Sequence, residues 1–495
     1  MRIVGQNING SFLAITKKPI HYKKKQVCLD MNLKRPNITL GLMNPVHLEN
    51  IYKSLLKFFK LKAIDVYFYN TNLLSNHIHS NSILNSKYRL VYIYKHLEKV
   101  FEHGNIYFTL IKHNGNFLKR KIFIKELPLV RPDIFLNNIE FTQNKYAARF
   151  PSFYNQELSN FLYNYSNPSY IDIFSHFLCS RLVEEGVSPH FPLFYGVYNT
   201  IFSKFTQKFD NKTDFNDFIE ENNGIYKCDL YSTICHDDID KYKVTYNNFP
   251  VCLMATEVMD YDLGDFIEDH LLVNNICDQD PSLFFEEDIT SILFQTIAGI
   301  SIVHNFWELY HNDLHLGNIM FKNTNQEYIY YYFKNTYYKV PSFGKIVKII
   351  DWNRATMKYN GVELNNLEYT NVGDCRDMYR FQNSIQNQKK KITPNPNFDL
   401  ALLAYEILNI SKKILNKKSK LYKLLIDWTN MNNGDNIYSH FGKEDDTEAD
   451  FHLYIYIAKY CFNAIPIKQI TKPIFTQYRI NKSDIPKNEK IYIIA

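Results

Sequence analysis

The polar cluster in residues 310–320, YHNDLHLGNIM, is the stretch of the chain best suited to chemistry. Asp313 supplies a carboxylate that can orient a hydroxyl group, and Asn318 supplies a neutral oxygen ligand for a metal ion. The two histidines, His311 and His315, could instead bind zinc together with carboxylates. A polar turn after a helix is the third reading. The loop alone leaves phosphoryl transfer, zinc binding and a plain turn open.

A second carboxylate, Asp351, follows at the end of a run of β-branched residues. Phosphoryl transfer needs oxygen ligands that hold Mg²⁺ across the β- and γ-phosphates, and Asn318 with Asp351 supplies two. Zinc is disfavoured because Gly317 and the loop context argue against the helix that paired histidines would need. The sequence therefore predicts a magnesium site at Asn318 and Asp351, beside Asp313 as the catalytic carboxylate.

Strand patterns dominate the first half of the chain. Three short apolar runs joined by tight turns, one of them at Asn114-Gly115, predict an antiparallel sheet. The polar segment before residue 251 reads as an inserted loop. The predicted strands are AIDVYFYN (63–70), RLVYIYKHLEKVF (89–101), NIYFTLIKHNGNF (105–117), KRKIFIKEL (119–127), LFYGVY (193–198) and VCLMATEV (251–258).

Helical spacing of apolar residues marks most of the second half, to about residue 463. A Tyr-rich hairpin, EYIYYYFKNTYYKV (327–340), interrupts these helices. In the first half of the chain, Gly186 ends the helix predicted at 170–186. The main predicted helices are HLENIYKSLLKFFKL (47–61), YIDIFSHFLCSRLVEEG (170–186), EEDITSILFQTIAGISIVH (286–304) and PNPNFDLALLAYEIL (394–408).

The order IFIKELPL, HNDLHLGNIM, PSFGKIVKIIDW and PNFDLALL resembles the serine/threonine-protein kinases of large cytoplasmic DNA viruses, from about residue 90 onward. The resemblance implies an α+β, two-lobed protein-kinase-like fold with an antiparallel-sheet N-lobe and a helical C-lobe. It implies an N-terminal extension of unknown role (1–90), an N-lobe with insertions (91–260) and a C-lobe (261–495). It also implies the host cytoplasm as location, with packaging in the virion left open.

The resemblance assigns roles by position. Lys125 would hold the α- and β-phosphates of ATP, with Asp172 on the following helix behind it. Asp313 would orient the acceptor hydroxyl, and Asp399 would anchor the motif loop through backbone N–H groups. The residues expected at the nucleotide are Lys125, Gly104, Glu257, Met259 and Met320, and those expected at Mg²⁺ are Asn318 and Asp351.

Several positions depart from the kinase pattern. Asp172 replaces a glutamate, Phe123 replaces a small residue, and Gly104 is all that remains of a glycine-rich loop. Asp351 is followed by Trp352 and Asn353 instead of Phe and Gly, and no APE triplet is visible. These departures keep a pseudokinase acting as a binding module as an alternative.

His315 opens a different alternative. It stands two residues after Asp313, where protein kinases usually have lysine, and this spelling is shared with aminoglycoside- and choline-type phosphotransferases. A small-molecule phosphotransferase is therefore the rival within enzymes. The leading prediction remains a kinase that transfers the γ-phosphoryl group of ATP to a serine or threonine of a protein substrate.

Composition sets wider bounds on function. The chain has 495 residues, 45% of them hydrophobic, which is enough for two or more packed domains. The net charge of +6 is mild, and no basic run has the aromatic spacing of an RNA-binding sheet. The eight cysteines are scattered without a CxxC pair. We expect no specific nucleic-acid partner, no membrane span and no signal peptide; the sequence leaves the oligomeric state open.

Overall fold

The computed structural model is a mixed α/β protein with an antiparallel sheet and several helices. It divides into two compact units, each described here by itself. The first takes Met1–Lys18, Ile38–Ile173 and Phe194–Val258, and the second takes Pro19–Asn37, Phe174–Leu193 and Met259–Ala495. Within these, the structure describes residues 2–6, 12–16, 35–36, 38, 40–42, 45–59, 61–65, 82–84, 86–101, 103–137, 162, 164–209, 213, 215–216, 242–274, 282–370, 373–376, 378–379, 393–441 and 449–494.

A six-stranded antiparallel sheet forms the centre of the first unit. The predicted turn at Asn114-Gly115 is confirmed: both residues have positive φ, 48° and 87°, as a two-residue hairpin turn requires. In spatial order the strands are Leu61–Asp65, Phe194–Phe209, Tyr242–Glu257, Asn116–Pro128, Gly104–His113 and Tyr88–Phe101.

Two of these strands are much longer than the sequence predicts. Phe194–Phe209 and Tyr242–Glu257 pair over most of their length, so residues 199–209 and 242–250, read as part of an inserted loop, belong to the sheet. Phe205 stacks on Phe249 with ring centroids 4.4 Å apart, and this aromatic packing stabilises the extension. The rest of the predicted loop lies outside the described residues.

The remaining elements of the first unit are short strands and helices. The helix predicted at 47–61 is confirmed, with slightly earlier bounds. The strand predicted at 63–70 begins at Leu61, and its last five residues lie outside the described part of the chain. The strand pairs are Arg2–Gln6 with Phe12–Thr16 and Leu40–Leu42 with Ser82–Leu84, and the helices are Pro45–Phe58, Pro132–Asn137 and the start of Pro168–Glu184.

The strand Leu61–Asp65 bears on the predicted N-terminal extension. It pairs with Phe194–Phe209, so part of residues 1–90 belongs to the same sheet as Lys125. The separate role of that segment, and the boundaries at 90 and 260, stay predictions.

The described part of the second unit contains more helix than strand, as the sequence predicts. The longest helix, Ser282–Trp307, contains a 23-residue stretch, Phe285–Trp307, that is long and apolar enough to cross a membrane, with a mean hydropathy of 1.4; 83% of the window tested is buried inside the protein. Its apolar side chains are thus already covered. The other helices are Leu263–Asn274, Phe398–Ile410, Lys420–Trp428, Ile437–Phe441, Ala449–Tyr460 and Pro466–Gln469, together with the second part of Pro168–Glu184.

Three small sheets lie in the described part of the second unit. The Tyr-rich hairpin is confirmed, and Lys334 and Asn335 form its turn with positive φ. Its two strands gain partners from residues 479–493, which the sequence does not mark as strands. In spatial order the sheets are Tyr261–Asp262, Ile319–Asn323 and Lys345–Ile349; Arg479–Ile480, Thr336–Pro341, Tyr328–Phe333 and Ile491–Ile493; and Met357–Tyr359 with Val362–Leu364.

Candidate active site

Lys125 and Asp172 form an ion pair in the first unit. The Lys125 Nζ lies 3.3 Å from the Asp172 Oδ2, and the Asp172 side chain is fully buried. The start of the helix is fastened to the end of the Lys125 strand, because Ser169 Oγ donates to the Pro128 carbonyl at 2.6 Å and Asn167 Nδ2 to the Leu129 carbonyl at 2.8 Å. This fastening holds the helix close enough for the shorter aspartate to reach the lysine.

Gly104 lies directly opposite Lys125 on the neighbouring strand. A side chain at this position would meet the ring of Phe101, since its Cβ would lie 2.4 Å from the Phe101 Cζ. The Phe101 ring packs against Phe123, with ring centroids 5.6 Å apart. Gly104 thus makes room for an aromatic ring, and its part in phosphate binding stays a prediction.

The three residues expected at adenine belong to different units. Glu257 is the last residue of its strand in the first unit, opposite Ile122. Met259 and Met320 lie in the second unit, where Met320 pairs with Asp262 and Lys348 on its two sides. All three are partly exposed. Their contact with a nucleotide stays a prediction.

Asp399 anchors the motif loop, defined as residues 310–318. Its two carboxylate oxygens accept the backbone N–H groups of His311, at 3.1 Å, and Asn312, at 2.7 Å, and His304 Nε2 lies 3.2 Å away. Burial by itself raises the pKa of Asp399, but these hydrogen bonds and the neighbouring histidines bring it below its ordinary value. The predicted anchoring role is confirmed.

Asp313 lies in this loop with its side chain largely buried. The Oδ1 oxygen accepts two hydrogen bonds, one from Arg354 Nη1 at 3.0 Å and one from the Tyr454 hydroxyl at 2.7 Å. Burial has the largest single effect on the pKa of Arg354 and lowers it, but Asp313 and nearby groups together raise that pKa above its ordinary value. Arg354 is therefore cationic beside the Asp313 carboxylate.

Asn318 and Asp351 are brought together by backbone pairing. The Asn318 carbonyl accepts the N–H of Ile350 at 3.1 Å, and Asp351 is the residue that directly follows Ile350. Asn318 Nδ2 donates to the Asp313 carbonyl at 2.8 Å, which fixes the orientation of the amide. The three side chains predicted for phosphoryl transfer, Asp313, Asn318 and Asp351, therefore lie on adjacent segments of the second unit.

Asp351 adopts a left-handed backbone conformation with φ of 60°, which is uncommon for a residue other than glycine. Its N–H points to the ring of His176, which accepts a hydrogen bond at Nε2 over 3.3 Å. His176 stands four residues after Asp172 on the same helix and is buried. The histidine thus helps to hold the candidate metal ligand in place.

His311 has a structural role in the motif loop. Its Nε2 donates to the Ile350 carbonyl at 2.8 Å, and its ring lies 4.6 Å from that of Trp352. Both side chains are fully buried. His315 faces its own loop, with Nδ1 near the Gly317 N–H and Nε2 near the Asn318 amide. Across the described residues, no three His, Cys, Asp or Glu side chains form a metal-binding group.

Buried polar side chains fasten the segment after Asp351, defined as residues 352–356. Asn312 Nδ2 lies 3.3 Å from the Arg354 carbonyl, and Tyr369 donates its hydroxyl to the same carbonyl at 2.5 Å. Asn366 donates to the carbonyl of Ala355. Asn312 therefore ties the motif loop to this segment. Most of the stretch expected in place of an APE triplet lies outside the described residues.

The donor set at Asn318 and Asp351 fits magnesium. Both supply oxygen, the ligand atom that Mg²⁺ prefers, and substrate phosphates and water normally complete its octahedral shell. The Asn318 amide directs its nitrogen into the loop, which turns Oδ1 away from these internal bonds. Among the described residues, no group of three or more His, Cys, Asp or Glu side chains is placed to hold a metal ion, so a softer metal is not favoured.

Three residues of the site were not found from the sequence. His176 had a usable signal, because positions four apart on a helix lie on one face and Asp172 was already singled out. Arg354 stands three residues after Asp351, but an arginine there has no distinctive spacing. Tyr454 lies 141 residues from Asp313 and had no signal at all.

Comparison with known proteins supports a distant kinase relationship. The chain is 29% identical over 145 residues to a protein described as a serine/threonine-protein kinase haspin homolog of Drosophila melanogaster. The match covers 27% of this chain and 25% of the relative, so the chain spans about a quarter of that protein's length. No family model matches the chain. The match indicates a protein-kinase-like relationship, and the described fold is compatible with a two-lobed kinase. The resemblance to viral kinases stays a prediction.

Proposed function

We propose that the chain is an ATP- and Mg²⁺-dependent protein kinase that phosphorylates serine or threonine. The observation that carries the proposal is the arrangement of Asp313, Asn318 and Asp351 on adjacent segments, held by Asp399. Phosphoryl transfer needs little covalent chemistry from the protein and depends on positioning and on neutralising charge. Fixed carboxylates and an amide on a rigid loop suit that task.

Each residue has a role in this reaction. Asp313 accepts a hydrogen bond from the acceptor hydroxyl and orients its oxygen toward the γ-phosphorus of ATP. As the new O–P bond forms, the bond to the ADP oxygen breaks, and the hydroxyl proton passes to the Asp313 carboxylate. Asn318 and Asp351 would hold Mg²⁺, which when bound neutralises charge on the β- and γ-phosphates. Lys125, fixed by Asp172, would bind the α- and β-phosphates.

Serine or threonine as acceptor is supported by the similarity to the relative described as a serine/threonine-protein kinase and by the viral-kinase resemblance. The partner would be a protein, and its identity is left open. We place the enzyme in the host cytoplasm on the same resemblance.

Transfer of labelled phosphate from Mg·ATP by the purified chain tests the proposal. Casein-like and basic proteins serve as acceptors, and Asp313→Asn serves as the matched control, because it keeps the shape of the side chain and removes its charge. We expect transfer to serine or threonine with the natural chain and a loss of at least about 100-fold with Asp313→Asn.

Other outcomes would point elsewhere. Transfer to small amines or sugars but not to proteins would favour a small-molecule phosphotransferase. A folded chain that is not stabilised by Mg·ATP would contradict the proposal, because a ligand at about 100 times its Kd should stabilise the native state by roughly 2.7 kcal/mol. Such a chain would be a kinase-shaped binding module.

A further inference from the structure

The two oxygens of the Asp313 carboxylate differ in the hydrogen bonds that they accept. Arg354 Nη1 and the Tyr454 hydroxyl both donate to Oδ1, at 3.0 Å and 2.7 Å. From the residues that the structure describes, no hydrogen bond to Oδ2 is found. One oxygen is thus fixed by two donors, while the other is open to a group that the described residues do not supply.

The two donors support each other. The Arg354 guanidinium carbon lies 5.4 Å from the centre of the Tyr454 ring, a favourable cation–π distance. Burial and the nearby Asp313 raise the pKa of Tyr454, so its hydroxyl keeps the proton that it donates. Both side chains are therefore in the charge state that a donor to a carboxylate requires.

Both donors also come from fixed elements. The Arg354 carbonyl accepts hydrogen bonds from Tyr369 and Asn312, which lock its backbone. Tyr454 projects from the helix Ala449–Tyr460, and its ring lies 5.7 Å from that of Phe398 on the helix that carries Asp399. The orientation of Asp313 is thus set by two segments besides its own loop.

We propose that Tyr454 and Arg354 are positioning residues for Asp313: they bind its Oδ1 and thereby present Oδ2 to the acceptor hydroxyl. The inference rests on the proposed function and deepens it. It adds the helix Ala449–Tyr460, which no motif marks, to the parts of the chain on which phosphoryl transfer depends. Neither residue needs to touch ATP or the acceptor.

Steady-state kinetics of Tyr454→Phe tests this inference, with Tyr456→Phe on the same helix as the matched control. Tyr456 packs against His440 and, among the described residues, makes no hydrogen bond to the motif loop. A hydrogen bond to a charged group is worth enough for its loss to cost about ten-fold or more in rate. We expect Tyr454→Phe to lower kcat about ten-fold while the KM for ATP stays within two-fold, and Tyr456→Phe to behave as the natural chain.

Arg354 provides a second, independent variant. Arg354→Gln should lower kcat as Tyr454→Phe does or more strongly, and Arg354→Lys should recover part of the loss because it restores a cationic donor. Stabilisation by Mg·ATP, measured by thermal shift, should persist in all three variants. If Tyr454→Phe fails to fold, the kcat values of Arg354→Gln and Arg354→Lys test the inference in its place.

Three results would overturn the inference. Unchanged kcat in Tyr454→Phe and Arg354→Gln would show that Asp313 needs no such support. A faster Tyr454→Phe enzyme would show that the hydroxyl blocks Asp313 instead of orienting it. If the natural chain is folded but transfers no phosphate, the proposed function fails and this inference falls with it, which separates that case from the other two.

Discussion

At the scale of single residues, Asp172 shows how the chain accommodates a departure from the kinase pattern. An aspartate is one methylene shorter than the glutamate expected there, yet its Oδ2 lies 3.3 Å from Lys125 Nζ. The hydrogen bonds of Ser169 and Asn167 to the end of the lysine strand bring the helix near. This attachment of the helix lets the shorter side chain reach the lysine.

The buried position of Asp172 makes the pair sensitive to loss of its cation. Lys125→Met should lower the free energy of unfolding by about 3 kcal/mol, because it removes the positive charge from beside a fully buried carboxylate. The double variant Lys125→Met with Asp172→Asn should recover much of that loss. Urea denaturation measures both, and Lys121→Met, at an exposed position of the same strand, is the control. Equal instability of the single and double variants would contradict the buried-pair account.

At the scale of elements, the helix Phe398–Ile410 sets the shape of the motif loop. Its first turn carries Asp399, which accepts two successive backbone N–H groups of the loop. The left-handed conformation of Asn312, with φ of 61°, turns the backbone so that both N–H groups face one carboxylate. The loop is thus built against a helix that lies some ninety residues further along the chain.

Asp399→Asn should break this arrangement. An amide offers one acceptor oxygen in place of two, so a buried backbone N–H group would face an NH₂ group. We expect unfolding free energy to fall by about 2–4 kcal/mol and phosphate transfer to fall with it. Asp427→Asn is the matched control, because Asp427 forms a partly exposed pair with Lys472, whose loss should cost within about 1 kcal/mol. A variant as stable as the control would show that the anchor is dispensable.

The same scale shows what sequence can and cannot predict. Local patterns or fixed motif spacing predicted three features. They are the strand that contains Lys125, the helix of Asp172 and the anchoring by Asp399. The strand at 242–250 was missed because its alternation breaks at Asn248, which has φ of 58°. Tyr454 was missed because nothing near it in the sequence refers to Asp313; only packing of the helices brings the two together.

At the scale of the whole molecule, buried titratable groups tie stability to pH. His190, in the second unit, is fully buried between the Val347 carbonyl, 3.2 Å from Nδ1, and the Tyr331 hydroxyl, 2.7 Å from Nε2. The Val347 carbonyl can only accept, so Nδ1 carries the proton, and a neutral ring then accepts the Tyr331 hydroxyl at Nε2. Burial, the largest cause, lowers the pKa of His190 to about 3.

The sign of the resulting pH dependence follows from linkage. The folded pKa lies below the unfolded value of about 6.5, so the unfolded chain binds the proton more readily. His190 should therefore subtract stability as pH falls from about 6.5 toward 3, by about 1.4 kcal/mol for each pH unit. His190→Asn keeps a donor amide and has no titrating group, so it should flatten this slope. Urea denaturation between pH 5 and 7 would check it; an unchanged slope would assign the pH dependence to other groups.

The apolar stretch Phe285–Trp307 has a consequence for the synthesis of the protein on the ribosome. Part of its cover comes from Phe475 and Tyr478, whose rings lie 5.2 Å and 5.8 Å from Phe294. Translation reaches those residues long after the helix has been made. Throughout that interval the nascent chain displays a segment with the hydropathy of a membrane span. This helix can be fully covered only after residues 473–478 have emerged, and until then its apolar side chains are open to non-native contacts.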